Sequence, residues 1–331
     1  MIIAEIAQAH DGSLGVAHSY IDALKNTGVD AVKFQTHIAE AESSQYEPFR
    51  VKFSYEDDSR YDYWKRMEFT EQQWIGLKAH CDEAGLEFIS SPFSIAAVNL
   101  LENIGVERYK IGSGEVNNLL LMERIAQTGK PVIVSSGMSS LTELDATIAF
   151  LKERKIATSI LQCTTAYPTV PAQWGLNVIA ELKNRYHLPV GFSDHSGGTV
   201  ACLAAAALGA ELFEFHAVFD KRMFGPDAKA SLEINEIKSL VDGVKTIQTS
   251  LAQQINKEDN SAFSHLKSMF EKSLAVNKAL PKGHILTFAD LEAKKPKGHG
   301  IDAAGFQSVI GKPLVNDKMQ WDFLADADVF A

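Results

Sequence analysis

The stretch Leu188-Pro189-Val190-Gly191-Phe192-Ser193-Asp194-His195-Ser196 sets the pattern of this chain. A short apolar run typical of a β-strand ends in polar residues, and a helix of small residues, Thr199 to Leu208, follows. The unit then repeats, because the apolar run Ala210–Phe213 leads into Glu214-Phe215-His216. In a (β/α)₈ barrel the carboxyl ends of the strands form the rim where ligands bind. We therefore expect both histidines on that rim, just past the ends of two successive strands.

Strand-like and helix-like segments alternate along most of the chain. Helical patterns such as Leu14–Asn26, Glu71–Ala84, Leu141–Lys152 and Asn177–Arg185 separate the apolar runs. Eight runs predict strands: Ile2–Ile6, Ala31–Gln35, Glu87–Ser90, Arg108–Ile111, Val132–Ser135, Ser159–Gln162, Pro189–Phe192 and Leu212–Phe215. Eight such units with nearly continuous apolar strands predict a closed parallel barrel, and a doubly wound sheet is the alternative.

The alternation is broken in two places. Ala39–Glu68 is a long polar and aromatic insertion after the second strand, either a lid over the rim or a structural excursion. After a last predicted helix, Ile234 to Ile255, the chain becomes turn-rich, and from Ser273 it contains short β-like pieces with glycine turns. We predict a barrel domain over residues 1–256, a linker over 257–272 and a small β-rich domain over 273–331.

Composition argues against several classes of protein. The chain of 331 residues is 46% hydrophobic, yet no apolar run approaches the roughly 20 residues of a membrane span. A net charge of −10 argues against general binding to nucleic acids or anionic membranes. The three cysteines form no CxxC pair, which argues against a disulfide scaffold or a zinc knuckle. Because the N-terminus lacks the features of a signal peptide, we expect a cytoplasmic protein.

Polar side chains recur at the predicted strand ends. A lysine that points inward from an apolar strand is costly unless it is paired or faces a ligand. Lys33 and Lys110 are therefore candidate anion ligands, with structural Lys–Glu pairs as the alternative. Imidazole is a common ligand of divalent transition metals. His195 and His216 thus predict a metal site with open positions, with hydrogen-bonded structural histidines as the alternative.

Taken together, these motifs resemble the sialic acid synthase family, the phosphoenolpyruvate-condensing synthases that make nonulosonic acids. The resemblance runs in order over essentially the whole chain, and its last segment resembles the family's C-terminal antifreeze-like (SAF) domain. The matching segments are Ile3–Glu5, Asp30–His37, Phe88–Phe93, Tyr109–Glu115, Gly129–Met138, Cys163–Pro168, Gly191–His195, Glu214–His216, Gly225–Asp227 and Leu280–Leu291.

The resemblance implies a phosphoenolpyruvate-dependent transferase that forms a C–C bond. Carbon 3 of phosphoenolpyruvate attacks the aldehyde of an N-acylated amino sugar, either N-acetylmannosamine or a related 2,4-diacetamido sugar. Water adds to carbon 2, and phosphate leaves by C–O cleavage, which gives a nine-carbon α-keto acid. The family's members are domain-swapped dimers whose SAF domain covers the partner's barrel mouth, so a homodimer of this kind is expected here.

The resemblance also assigns roles to residues. A divalent metal, Mn²⁺ before Mg²⁺ or Co²⁺, would be held by His195 and His216, and the sugar would contact Tyr167, Asp227 and Lys295. The catalytic carboxylates would be Glu5, Glu115 and Glu214, with their division of labour open. Phosphoenolpyruvate would be bound by Lys33, Gln35, Lys110, Ser113, Ser135 and Ser193.

The departures from the family pattern lie on the sugar side. Lys295 stands where the family has an arginine that reaches the acyl group, and Thr165 stands where several members have asparagine. Two rival functions remain open at this point. One is a Schiff-base lysine aldolase on the same barrel, which would need no metal. The other is a non-catalytic sugar-binding relative, which would be expected to lack acids or histidines at the rim.

Overall fold

Eight parallel strands close into a barrel, because the first strand pairs with the second on one side and with the eighth on the other. The closure confirms the predicted (β/α)₈ barrel and excludes the doubly wound sheet. The computed structural model describes residues 1–51, 53 and 55–329. The strands are β1 Ile2–Glu5, β2 Ala31–Thr36, β3 Glu87–Pro92, β4 Tyr109–Ile111, β5 Val132–Ser135, β6 Thr158–Cys163, β7 Val190–Asp194 and β8 Phe213–Val218. A two-residue strand, β9 Leu232–Glu233, extends β8 on its outer side.

Helices follow the strands and begin where the sequence supplies caps. The Thr70 hydroxyl accepts from the backbone N–H of Gln73, whose side chain accepts from the backbone N–H of Thr70, and this capping box starts the helix Glu71–Ala84. Gly85 ends the same helix at a φ of +74°, a conformation that favours glycine. The helices are α1 Leu14–Leu24, α2 Ala39–Glu42, α3 Arg60–Met67, α4 Glu71–Ala84, α5 Ile95–Ile104, α6 Leu119–Ala126, α7 Leu141–Glu153, α8 Leu176–Tyr186, α9 Val200–Ala207, α10 Ile234–Ala252 and α11 Ser264–Phe270.

The barrel interior has two levels of inward-pointing side chains. The lower level, here called the floor, is an apolar cluster of Ile3, Ala31, Ile89, Ile133, Leu161 and Leu212. Side chains alternate between the two faces of a strand, so the residues two positions further along point inward as well. This upper level, the polar layer, is buried and consists of Glu5, Lys33, Ser91, Ser135, Cys163 and Glu214. The alternation of side chains along each strand thus places the polar layer directly above the apolar floor.

The insertion after β2 has a small core of its own. It contains α2 and α3, and its buried side chains, Ala39, Tyr63, Trp64 and Met67, pack together with Phe49, Phe53 and Tyr61 around them. The stacked rings of Trp64 and His37, 3.8 Å apart, join this core to the end of β2. The insertion is therefore a folded element attached to the barrel rim.

The chain divides into two compact units, Met1–Gln253 and Gln254–Ala331. In the second unit, β10 Ser273–Val276 pairs antiparallel with β11 Leu291–Lys294 over a small core that includes Leu274, Leu286 and Leu314. The segment predicted as a linker, 257–272, contains the short helix α11. Over the described residues, no helix combines the length and apolarity needed to cross a membrane.

Candidate active site

A cavity of about 360 Å³ opens above the polar layer, and all its lining residues belong to the barrel unit. Lys295 belongs to the second unit, where its ammonium lies 4.8 Å from the centroid of the Phe270 ring. Every other residue predicted for the site lines the cavity: Glu5, Lys33, Gln35, Lys110, Ser113, Glu115, Ser135, Tyr167, Ser193, His195, Glu214, His216 and Asp227. The structure therefore brings the predicted barrel residues together, while their individual roles stay predictions.

Two lysines and two carboxylates alternate at the bottom of the cavity. Lys33 Nζ lies 2.6 Å from Glu5 Oε1 and 3.7 Å from Glu214 Oε1. Lys110 Nζ lies 3.0 Å from Glu214 Oε1, and none of these four side chains is more than 4% exposed. Glu214 Oε2 is buried and has no hydrogen-bond partner within the described parts of the chain. The sequence left two alternatives for Lys33 and Lys110, a structural pair with glutamate or a position that faces a ligand. Both hold, because each lysine is paired with a glutamate and also lines the cavity.

The charges in this cluster control the ionisation of its members. Burial by itself would raise the pKa of the Glu5 carboxyl, but the charges of Lys33 and Lys110 and the hydrogen bond from Lys33 outweigh it and lower that pKa. Burial would lower the pKa of Lys110, but the carboxylates of Glu214 and Glu5 raise it. Lys110 is therefore suited to hold an anion as an ammonium group, and Lys33 contacts the same carboxylate of Glu214.

Amides and hydroxyls surround the cluster. Gln35 Nε2 donates to Glu5 Oε1 at 2.7 Å, and Ser193 Oγ donates to Glu214 Oε1 at 3.2 Å. Ser113 Oγ accepts from the backbone N–H of Gly137 at 3.2 Å. These groups fix the carboxylate oxygens and leave hydroxyls on the cavity wall.

Glu115 differs from the other two carboxylates. Burial raises its pKa, although Asn118 Nδ2 donates to Glu115 Oε2 at 2.7 Å. No salt bridge to Glu115 is found in the described structure, whereas Glu5 lies beside Lys33. Glu115 therefore keeps a proton to higher pH than an exposed glutamate, which suits a group that gives and takes a proton.

The two predicted metal ligands lie side by side, with ring centroids 5.4 Å apart. His195 directly follows β7, but His216 lies inside β8, so the prediction that it follows its strand was wrong. The reason is that β8 continues through the apolar residues Ala217 and Val218. The inward position of His216 still follows from the strand period, because it stands two residues after Glu214.

The chemistry of these imidazoles fits a divalent ion with open positions. His195 Nδ1 donates to the backbone oxygen of Thr164 at 2.9 Å, an orientation that leaves Nε2 for a ligand. Burial lowers the pKa of His216 and keeps its ring neutral, as metal binding requires. Burial opposes the proton on His195, but a Cys163 thiolate and the hydrogen bonds to Cys163 and the Thr164 oxygen raise its pKa to about 9, so a bound ion would displace that proton. Over the described residues, no three His, Cys, Asp or Glu side chains converge as a metal site.

Two arginines of the insertion line the outer part of the cavity, which we call the mouth, and the sequence analysis missed them. Arg50 donates to Asp227 Oδ1 at 2.7 Å and lies over the Tyr167 ring at 4.2 Å. Arg60 Nε lies 3.3 Å from Glu47 Oε1. The open question about the insertion has a partial answer, because it supplies one wall of the cavity in this conformation.

Known proteins resemble this chain over almost its whole length. The NeuB family matches residues 20–256. N,N'-diacetyllegionaminic acid synthase of Campylobacter jejuni is 34% identical over 320 residues, which cover 94% of this chain and 95% of that protein. Human N-acetylneuraminate-9-phosphate synthase is 33% identical over 319 residues, which cover 95% and 88%.

A solved structure adds the likeness in three dimensions. The N-acetylneuraminic acid synthetase of Leptospira borgpetersenii, solved in complex with citrate, superposes with a TM-score of 0.71 at 30% identity, covering 80% of this chain and 90% of that one. The family match covers well over half of the chain, and both relatives align with the barrel that carries the cavity. By sequence and by structure, this chain belongs to the NeuB family of sialic acid synthases.

Proposed function

We propose that this protein condenses phosphoenolpyruvate with the aldehyde of an N-acylated amino sugar. Carbon 3 of phosphoenolpyruvate forms the new C–C bond with the aldehyde carbon, and the aldehyde oxygen takes a proton. Water adds to carbon 2, and the bond from carbon 2 to the bridging oxygen breaks, so that inorganic phosphate leaves. The product from a hexosamine is a nine-carbon α-keto acid.

The observation that supports this proposal most is the pair of buried lysines, Lys33 and Lys110, that line the cavity. Phosphoenolpyruvate carries a carboxylate and a phosphate, and both need cations or N–H donors in a site that excludes water. Lys33 and Lys110 offer such cations at the bottom of one cavity, with Gln35 and the hydroxyls of Ser113, Ser135 and Ser193 around them. Ligand negative charge there would also relieve the crowding of two ammonium groups around Glu214.

Glu5, Glu115 and Glu214 are the candidates for general acid–base catalysis. Glu5 and Glu214 each lie within 4 Å of a lysine, and a carboxylate there could take a proton from water or stabilise an oxocarbenium-like centre. Glu115, with its raised pKa, is suited to donate a proton and to recover it. The sequence of proton transfers among them is what active-site variants would resolve.

A metal ion is part of the proposal. His195 and His216 would hold it, and a bound Mn²⁺ would supply Lewis acidity toward the aldehyde oxygen. Tyr167 stacks on His195 with ring centroids 4.1 Å apart, which holds that imidazole in place from the sugar side. Asp227 would accept hydrogen bonds from sugar hydroxyls near the cavity mouth.

The Schiff-base aldolase is the weaker candidate on physical grounds. Such an enzyme needs a neutral lysine amine as nucleophile. Nearby carboxylates raise the pKa of Lys110 and so oppose formation of its neutral amine, and Lys33 Nζ is engaged with Glu5 Oε1 at 2.6 Å. Borohydride in the presence of pyruvate and chelator should therefore leave the protein mass unchanged.

The experiment that tests the proposal follows phosphate release from phosphoenolpyruvate. Purified protein with Mn²⁺ is assayed with N-acetylmannosamine and a 2,4-diacetamido-trideoxyhexose, with no sugar as the control. Phosphoenolpyruvate labelled with ¹⁸O at its bridging oxygen should deliver that label to phosphate, because the C–O bond breaks. Label retained in the keto acid would contradict C–O cleavage, and no sugar-dependent phosphate with the panel would contradict the proposed reaction.

We further propose that the working form is a cytoplasmic homodimer in which the C-terminal domain, of SAF type, covers the partner's barrel. Supporting this, the second unit of a single chain exposes large apolar side chains such as Phe270 at 60% and Phe288 at 73%. Exposed apolar surface of this kind marks interaction sites. Light scattering should give twice the chain mass of 36.3 kDa, and a monomer with full activity would contradict the dimer.

A further inference from the structure

A series of hydrogen bonds connects the insertion to Glu5 in the polar layer. Gln35 Nε2 donates to Glu5 Oε1 at 2.7 Å, and Gln35 Oε1 accepts from Gln8 Nε2. Gln8 Nε2 also lies 2.9 Å from His37 Nε2, and His37 Nδ1 lies 2.6 Å from Glu42 Oε1. All five side chains line the cavity. The proposed reaction assigns no role to three of them, which are Gln8, His37 and Glu42.

Glu42 determines which nitrogen of His37 carries a proton. A carboxylate only accepts hydrogen bonds, so its contact places a proton on His37 Nδ1. His37 Nε2 then either accepts from Gln8 or, in a charged ring, donates to Gln35 Oε1, which lies 3.2 Å away. In both cases the oxygen of the Gln35 amide faces hydrogen-bond donors on this side.

The imidazole of His37 is held firmly in its place. It lies between the rings of Trp64 and Phe93, whose centroids are 3.8 and 4.5 Å from its own. The His37 side chain is 3% exposed and that of Glu42 is 7% exposed. A buried polar network resists rearrangement, because any other arrangement leaves a donor or an acceptor unpaired. The insertion, which contributes Glu42 and Trp64, therefore fixes the orientation of the ring.

The network matters because an amide group has nearly the same shape in either orientation. If the Gln35 amide turned over, its oxygen would face Glu5 Oε1, and two acceptors would meet at hydrogen-bond distance. With the amide fixed, Glu5 Oε1 accepts from both Gln35 Nε2 and Lys33 Nζ, at 2.7 and 2.6 Å. Glu5 Oε2 then lies beside His216, 3.3 Å from its Nε2. The hydrogen bonds thus select the oxygen of Glu5 that remains for the reaction.

We propose that Gln8, His37 and Glu42 are positioning residues that fix the Gln35 amide and, through it, the orientation of the Glu5 carboxylate. We call these three residues the positioning relay. This inference rests on the proposed function, because it takes Glu5 as one of the carboxylates that act in the condensation. It also gives the insertion a role in catalysis, since Glu42 belongs to the insertion and Glu5 to the first strand of the barrel.

The first experiment measures the condensation kinetics of Gln8→Met, which keeps the length of the side chain and removes its donor. We expect kcat to fall about ten- to one-hundred-fold, as misplacement of a catalytic group by about 1 Å predicts, while the KM for either substrate changes less than about threefold. A kcat within about twofold of wild type in folded Gln8→Met overturns the inference.

Thr36→Val is the matched control for loss of a buried hydrogen bond at the same place. Thr36 follows Gln35 on β2, is fully buried and shares a hydrogen bond of 2.7 Å with Ser90, but it does not line the cavity. Its kcat should stay within about twofold of wild type. A fall in kcat as large as that of Gln8→Met would show that the loss reports on strand stability, which overturns the inference.

A double-mutant cycle tests whether Gln8 acts through Gln35. In the presence of Gln35→Met, Gln8→Met should change kcat less than about twofold, because the amide that it positions is gone. If the effects of the two single variants multiply in the double variant, Gln8 acts independently of Gln35 and the inference is overturned.

Variants of His37 test the relay from its other end. His37→Phe keeps an aromatic ring between Trp64 and Phe93 but removes both ring nitrogens, so kcat should fall as in Gln8→Met. His37→Gln returns an amide that can reach Gln35 and should recover part of that loss. Wild-type kcat in folded His37→Phe, or no recovery in folded His37→Gln, contradicts the relay.

A spectroscopic measurement separates failure of the relay from failure of the proposed function. In ¹H–¹⁵N spectra the Gln35 side-chain amide is identified as the signal that is lost in Gln35→Met. This signal should move in Gln8→Met and in His37→Phe and change little in Thr36→Val. If it does so while no sugar supports phosphate release, the proposed function fails and the relay to Gln35 stands. A signal that moves in neither relay variant overturns the inference, whatever the kinetics show.

Discussion

Replacing Lys110 with methionine should destabilise the barrel because it removes an ion-pair partner of the buried Glu214 carboxylate. Lys110 and Glu214 are both at most 4% exposed and lie 3.0 Å apart, and Glu214 Oε2 already has no hydrogen bond in the described structure. Removing one partner of a buried ion pair costs roughly 3–5 kcal/mol. Lys33, 3.7 Å from Glu214, still offers some compensation, so we expect the low end, about 3 kcal/mol.

A double-mutant cycle isolates the cause of that loss. Lys110→Met combined with Glu214→Gln removes the uncompensated carboxylate and should recover at least half of the lost stability. Lys130→Met is the matched control, because Lys130 pairs with Glu102 at the surface, with both side chains more than a quarter exposed. Exposed pairs contribute about 0–1 kcal/mol, so this variant should be nearly neutral.

The measurement is equilibrium unfolding in urea followed by tryptophan fluorescence, together with calorimetry. Three of the four tryptophans, Trp64, Trp74 and Trp174, lie in the barrel unit, so the signal reports mainly on it. A loss of 3 kcal/mol corresponds to a fall in Tm of about 6–12 °C for a unit of this size. The KM for phosphoenolpyruvate should rise as well, by about ten- to one-hundred-fold, since a charge-assisted contact is lost.

The reasoning would be refuted by a loss below about 1 kcal/mol, which is what a solvent-screened pair gives. It would also be refuted if the double variant were no more stable than Lys110→Met alone. If Lys110→Met raised the KM for the acceptor sugar more than the KM for phosphoenolpyruvate, Lys110 would belong to the acceptor site. The positions that we propose for the two substrates would then have to be exchanged.

Three further predictions concern the metal, the C-terminal unit and its pairing. EDTA should abolish phosphate release and Mn²⁺ restore it, and His195→Ala and His216→Ala should each lower kcat on the order of 10²-fold; full activity in chelator would contradict the metal site. Asp290 is buried, but hydrogen bonds from Lys278 and other groups lower its pKa, so its contribution to stability is present above the unfolded-state pKa near 3.9 and is lost as pH falls below it. Asp290→Asn should therefore lower Tm at pH 7, and the Tm of this variant should fall less than that of the wild type between about pH 5 and 2. The same dependence of Tm on pH in both proteins would count against this. Deleting residues 273–331 should leave a folded barrel with poor turnover, and mixing it with full-length His216→Ala should restore part of the activity; an unchanged kcat/KM in the truncated chain would show that the domain does not complete the site.

The regular part of the site could be predicted because it follows from strand periodicity. An apolar run of four to six residues marks each strand, and its inward positions repeat every second residue. Glu5, Lys33 and Glu214 each stand two residues after a floor residue, so their convergence follows once the barrel is recognised. We predicted His216 to follow its strand because a polar residue often marks the end of an apolar run. The strand instead continues through Ala217 and Val218.

The mouth of the cavity could not be predicted in the same way. Arg50 and Arg60 belong to an insertion without a strand or helix period long enough to orient them, and their sequence neighbours are mostly charged or aromatic. Their direction is set by tertiary contacts, Arg50 with Asp227 and Arg60 with Trp64. The only sequence signal is two arginines among aromatic residues in an insertion at the ligand-binding rim.

The two levels inside the barrel have a consequence for laboratory evolution of this protein. None of the six floor residues lines the cavity, yet each stands two positions before a residue that does. Substitution libraries for new acceptors can thus leave the floor intact and vary the mouth. Adding or removing one residue within a strand would turn an ammonium or carboxylate outward and an aliphatic side chain inward. Insertions and deletions should therefore be tolerated only in the loops, where the segment Ala39–Glu68 is already one large insertion.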